Sequence, residues 1–253
     1  MHENCAALNH FIHAAEKTRG GLDDIWFLGD LFGHADESTG EEDLMQPVLN
    51  SLQVLEKHMG LAVQGNWEFW LTHPERDENN KDQGKYRSQL TQRRELLGKK
   101  ENNTLLKRLS RDTVQIYPER GAGEFTLFHG CSYECHRNSD YQPHPCECYL
   151  FPRDLNIVTR GLFGNEENLH TPHFLFGHTH TPGFFTYSVT SRMNMWQFFT
   201  MELKDRPISY GDSSQRYGIN PGTAGIETRR FPRTAVLLDT AEKTFMYLVD
   251  TEE

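Results

Sequence analysis

The sequence predicts a single α/β layered domain, and two observations carry that reading. Strand-like and helix-like segments alternate through the first third of the chain, and a β-α-β-α order is the signature of helices packed on a sheet. After residue 113 the pattern changes to a succession of short apolar strands separated by turn residues. No stretch of the 253 residues reads as an interdomain linker, so residues 1–253 are taken as one domain.

The first helix is marked by apolar Leu8, Phe11, Ile12 and Ala15, with Asn4 as its N-cap and Gly20-Gly21 as its stop. DDIWFLGD then reads as a short buried strand running into a turn. EEDLMQPVLNSLQVLEKHMG is an amphipathic helix on Leu44, Val48, Leu52 and Leu55, with Pro47 expected near its first turn. GLAVQGN is a second strand ending in a turn. Residues 72–111 are polar and hold 11 Lys/Arg against 6 Asp/Glu, a local charge of +5. A helix is expected around residues 86–110, forming either a lid or a solvated helical insertion. Strands are then expected in TVQIYP, EFTLFHG, HFLFGH, GFFTYSVTS, MNMWQFFTMEL, YGINPG, TAVLLDT and TFMYLVD, with GFFTYSVTSRMNMWQFF as a hairpin.

A net charge of −10 argues against non-specific binding to nucleic acid or acidic membranes. The basic segment suits a small anionic ligand better than a long polyanion. No apolar run spans a bilayer and no basic-then-apolar leader is present, which favours the cytoplasm. Four of the five cysteines crowd into CSYECHRNSDYQPHPCEC, residues 131–148, with His136 and His144 among them. The C-x3-C and C-x-C spacings differ from the paired C-x2-C of structural zinc sites, so reduced thiols are the expected state and a metal the alternative.

One pattern recurs along the chain. An apolar strand stops and a Gly turn presents a polar side chain: WFLGD (Asp30), LAVQGN (Asn66), FTLFHG (His129) and FLFGHTH (His178, His180). Any one of these is an ordinary wet sheet end. Four converging on one sheet edge make a site, as the carboxyl ends of strands do in α/β folds. Carboxylate, amide oxygen and imidazole suit Mn, Fe, Zn or Ni. His178 and His180, if on one strand, would share a face. Asp30 could bridge two divalent ions, and such a pair would generate a hydroxide and clamp a phosphate.

These motifs together resemble the calcineurin-like metallophosphoesterases: GD-x-x-G (Gly29 to Gly33), GN-x-E (Gly65 to Glu68), His129-Gly130, and GHTH (Gly177 to His180), in that order. INPGTAG…FPRTAVLLD (Ile219 to Asp239) is similar to the signature of that superfamily's small bacterial phosphodiesterase branch. The resemblance implies a two-sheet β-sandwich flanked by α-helices, with the polar helical segment as an insertion. It also implies that His2, Asp30 and His180 hold a first metal, and Asp30, Asn66, His129 and His178 a second. The family's opening D-x-H-G-N motif matches only from Met1 onward. The first carboxylate ligand and the first strand would then precede Met1, which implies a truncated chain; the alternative is a natural start with a divergent site.

A second departure is Trp67, which stands where many members carry a transition-state histidine. It reads equally as a core aromatic or as a stacking platform, and His34 is the nearest alternative acid. The implied activity is metal-dependent hydrolysis of a phosphodiester or nucleotide phosphoanhydride by metal-hydroxide attack, with two divalent ions, manganese foremost, and Asn66 and His34 as catalytic groups. The implied partner is a small phosphate-containing substrate, with no nucleic acid or membrane and with homo-oligomerisation open. The alternative is a degenerate metal- or phosphate-binding scaffold with a regulatory role.

Overall fold

A computed structural model describes residues 4–33, 41–74, 86–98, 114–117, 123–131, 144–164, 169–225 and 230–250, and the fold is given for these. In chain order they form α1 (Cys5–Arg19), β1 (Ile25–Phe27), α2 (Glu41–His58), β2 (Met59–Ala62), α3 (Asn66–Thr72), α4 (Arg87–Leu97), β3 (Val114–Tyr117), β4 (Phe125–Phe128), β5 (His173–Phe176), β6 (Gly183–Ser188), β7 (Asn194–Phe198), β8 (Ile208–Ser209), β9 (Gln215–Asn220), β10 (Thr234–Asp239) and β11 (Thr244–Val249). No helix among the described residues is long and apolar enough to cross a membrane.

Local chemistry accounts for the helix ends. Asn4 accepts the Ala7 N–H at 2.9 Å, closing the start of α1, and Gly20 ends it in the left-handed conformation at φ 76°. Pro47 sits further inside α2 than expected, as its seventh residue. Its missing N–H leaves the carbonyl one turn earlier without a helical partner. MNMWQFFTMEL is not one strand: β7 ends at Phe198, and Met201–Leu203 forms a single 3-10 turn.

Side-chain alternation along the strands builds four layers. The largest sheet has the order β3-β4-β5-β9-β6-β7, with β4, β5 and β9 parallel neighbours and β6-β7 the expected hairpin. Facing it are two smaller sheets, the parallel pair β1-β2 and the antiparallel set β10-β11-β8. Phe125, Leu127, Leu175 and Ile219 of the large sheet pack against Trp26, Leu61, Phe245 and Tyr247 of the small ones, forming the core of a sandwich. The opposite faces are covered separately. Phe27 and Ala62 meet α2, α3 and α4, whereas Met246 and Leu248 meet Phe11 and Ala15 of α1. Phe128, Phe174 and Phe176 pack under the segment Leu150–Phe163. The fold is the predicted α/β two-sheet sandwich flanked by helices.

Within the polar segment, α4 is bound into the core rather than solvated all round. Leu90 and Leu97 are buried with Trp67 and Trp70 of α3. Arg93 is fully buried; its Nη1 donates to the Gly33 carbonyl at 2.6 Å, and its guanidinium lies over the Phe32 and Trp67 rings. The remainder of that segment's expected helix lies outside the described residues.

Among the cysteines, Cys5, Cys131 and Cys146 are free, and burial pushes the Cys146 thiol well up. Cys148 is disulfide-bonded, which corrects the expectation of a reduced thiol at that position. No group of three metal-type side chains forms among the described residues of the Cys/His-rich segment.

Candidate metal centre at the strand ends

Asp30, Asn66, His129 and His178 all follow the carboxyl ends of strands, after β1, β2, β4 and β5 respectively. All four strands pair in parallel, β1 with β2 and β4 with β5, which brings the exits of each pair to one edge. All four side chains are buried. His129 Nε2 lies 3.1 Å from Asp30 Oδ2, 3.1 Å from Asn66 Oδ1 and 3.2 Å from His178 Nδ1. The ligand atoms of Asp30, His129 and His178 all fall within 4.8 Å of one another.

The donor set fits a cation. Without an ion the Asn66 amide satisfies the cluster with its NH2 inward, donating to His178 Nδ1 (3.0 Å), His129 Nε2 (3.1 Å) and both Asp30 oxygens (3.2 and 3.0 Å); a cation shared by the same acceptors would take the amide with its oxygen inward. Ligands about 2.1 Å from one divalent ion and at right angles to each other lie about 3.0 Å apart, close to the separations found. His129 Nδ1 is engaged with the Leu28 carbonyl, which fixes the tautomer and turns the Nε2 lone pair to the cluster. Burial holds the His178 pKa down to about 3, so that ring is neutral and able to ligate. Burial lowers the His129 pKa, but without an ion the Asp30 carboxylate, the Leu28 carbonyl and the Glu68 charge together raise it, so that a cation binding at Nε2 would compete with a proton there.

The backbone here is strained where the ligands are. Asp30, His178 and His180 have φ of 55°, 62° and 51°. A non-glycine residue in that region costs about 1–3 kcal/mol, and such outliers gather at functional sites. The histidines are therefore presented by a turn beyond β5, not by one strand face as the sequence suggested. His178 enters the cluster. His180 lies beside it, half-buried, and is not one of the three tightly grouped ligands. Burial lowers its pKa to about 4. His2 and His34 lie outside the described residues.

Two glycines make the close approach possible. A Cβ on Gly65 would fall 2.2 Å from the Asp30 nitrogen, and one on Gly29 would fall 2.5 Å from the Gly65 nitrogen. The GD and GN turns are thus stacked backbone on backbone, which only glycine permits.

Glu68 locks that contact, a role sequence reasoning missed although the residue lies in the GN-x-E motif. Its buried carboxylate accepts N–H groups from Asp30 (2.8 Å), Leu31 (2.7 Å), Phe32 (3.2 Å) and Gly65 (2.9 Å). Burial and the neighbouring Asp30 charge raise its pKa against the pull of those donors. Asn220 does the same for the histidine turn, donating to the Gly177 carbonyl (3.2 Å) and to Thr179 Oγ1 (2.8 Å).

Trp67 is a core aromatic. It is 6 % exposed and packs against Tyr86 and Trp70 with centroids at 5.0 and 5.6 Å. The aromatic ring that lies against the cluster is instead Tyr149, stacked on His178 at 3.9 Å and 22°. Its only sequence signal is the alternation Tyr149, Phe151, Arg153.

No family model and no curated protein sequence matches this chain. Among solved structures, the crystal structure of a metallophosphoesterase from Sphaerobacter thermophilus is similar over 100 % of this chain and 86 % of its own. The TM-score is 0.62 and the identity 20 %. The chain therefore has the fold of a metallophosphoesterase, with an Asp/His/His group at its strand ends that could hold a metal.

Proposed function

We propose that this chain is a metal-dependent hydrolase of phosphodiester or nucleotide phosphoanhydride bonds. The observation that carries the proposal is the convergence of four buried lone-pair groups, Asp30, Asn66, His129 and His178, on a metallophosphoesterase fold. Divalent ions bound there would supply an acidified water and neutralise the phosphate charge. Asp30 carries the negative charge that attracts them, and Glu68 and Asn220 hold the two turns in place. His178, kept neutral by burial, ligates at neutral pH. His180 stands beside the cluster, where it can ligate a second ion or contact the substrate.

Trp67 offers no proton to a leaving group, because its ring is packed inside the core. That favours substrates whose leaving group departs without an acid, namely aryl or nucleotide phosphodiesters and anhydrides, over alkyl monoesters. The test is turnover of bis(p-nitrophenyl) phosphate by metal-stripped protein before and after addition of Mn²⁺. Metal-dependent hydrolysis exceeding that of an alkyl phosphate monoester is the expected result. Folded protein that binds Mn²⁺ without turning over the diester would refute the catalytic reading and favour a binding scaffold.

A further inference from the structure

Beside the candidate centre a cavity of about 410 Å³ opens over the turn Thr179–Thr181, with His180 on its floor. Its size is that of a small-molecule site. One wall continues outward from the cluster. The Tyr149 ring that covers His178 also stacks on Phe151 at 5.2 Å and 8°, and the Arg153 guanidinium lies 4.9 Å over Phe151. The opposite wall repeats the arrangement. Phe198 and Phe231 are near parallel at 6.2 Å, and the Arg230 guanidinium sits 4.9 and 5.3 Å from their centroids. Among the described residues, neither Arg153 nor Arg230 has a carboxylate partner.

A guanidinium laid on an aromatic ring uses its face for stacking and keeps its in-plane N–H groups for an anion, in the fork geometry that matches phosphate. Two such groups line a space walled by rings, together with His180, the neighbour of the candidate centre. We infer that this cavity is a subsite for a nucleotide: Arg153 and Arg230 take the phosphate next to the one being attacked, and the aromatic walls take the base. The substrate is then a nucleoside polyphosphate or a nucleotide anhydride rather than a simple diester. The placement of the reacting phosphate rests on the hydrolase reading above; the binding of the nucleotide does not.

The test is therefore made without turnover, by calorimetric titration in EDTA with ADP, pyrophosphate and adenosine as probes. ADP should bind at least about tenfold more tightly than either pyrophosphate or adenosine, since it alone engages both charge and rings. Arg230→Gln should weaken ADP and pyrophosphate by about tenfold and leave adenosine unchanged. Phe231→Leu should weaken ADP and adenosine and leave pyrophosphate unchanged. Both side chains reach the surface, so far-ultraviolet circular dichroism of the variants should match the parent. ADP binding no tighter than pyrophosphate, or ADP binding unaltered by both substitutions, would overturn the assignment. Loss of diester turnover with ADP selectivity intact would instead count against the hydrolase reading alone.

Discussion

Glu68→Gln isolates the charge that clamps the two glycine turns, because it alters neither side-chain length nor volume. Each carboxylate oxygen accepts two backbone N–H groups: Oε1 those of Leu31 and Phe32, Oε2 those of Asp30 and Gly65. In glutamine one of these oxygens becomes an NH₂ group, so two of the four bonds are lost and donors face donors. Hydrogen bonds to a charged acceptor contribute about 1.5–3 kcal/mol each, so the predicted loss is about 3–6 kcal/mol. Loss of the clamp also releases the strained Asp30 backbone that aims its carboxylate at His129. The assay is equilibrium urea unfolding followed by tryptophan fluorescence, since Trp67 and Trp70 lie on the carboxylate's own helix, α3. Total stabilities of domains lie near 5–15 kcal/mol, so the variant should unfold at far lower urea or fail to fold. A shift below about 1 kcal/mol would refute the clamp, because that is the range of a solvated surface change. The exposed helix substitution Glu16→Gln should show that smaller effect.

Two further outcomes follow from buried groups away from the site. His173 accepts the Tyr217 N–H at 3.0 Å, and burial lowers its pKa to about 4 from an ordinary 6.5. The neutral form is the folded one, so this stability is present above pH 6.5 and lost as pH falls toward 4. Linkage makes the loss about 3 kcal/mol. His173→Asn, which keeps an acceptor near Nδ1, should remove that pH dependence from urea midpoints measured between pH 7 and pH 4; an unchanged slope would assign it elsewhere. Tyr247, fully buried in the sandwich core, donates its hydroxyl to the Gly183 (2.6 Å) and Asn220 (3.0 Å) carbonyls. Tyr247→Phe strands those acceptors and should cost about 1–3 kcal/mol. Scanning calorimetry should then show a fall in Tm of roughly 2–12 °C, and no fall would mean that water replaces the hydroxyl.

The parts of this molecule that could be read from sequence are those set by local chemistry. Asp30, Asn66, His129 and His178 announce themselves because each follows an apolar strand beside a turn glycine, which precedes Asp30, Asn66 and His178 and follows His129, and strand exits on one edge converge. The α1 cap and the β6-β7 hairpin were visible for the same reason. What escaped depends on contacts between distant segments. The N–H groups that Glu68 accepts come from a turn 36–38 residues away. Tyr149 reaches His178 only because the chain after the Cys/His-rich segment folds over the strand ends. Period-two reasoning put His178 and His180 on a strand, but their positive φ values turn the chain out of the sheet. Pro47 was expected near a helix start, but α2 begins six residues before it.

If Asp30, Asn66, His129 and His178 form a divalent-cation site, Mn²⁺ titration of metal-stripped protein monitored by electron paramagnetic resonance will detect it. At least one equivalent of the free-ion signal should be lost per chain, and His178→Ala and Asp30→Asn should each abolish the loss while leaving the circular dichroism spectrum unchanged. Undiminished free Mn²⁺ in the presence of the folded parent chain, or binding that survives both substitutions, would contradict that site.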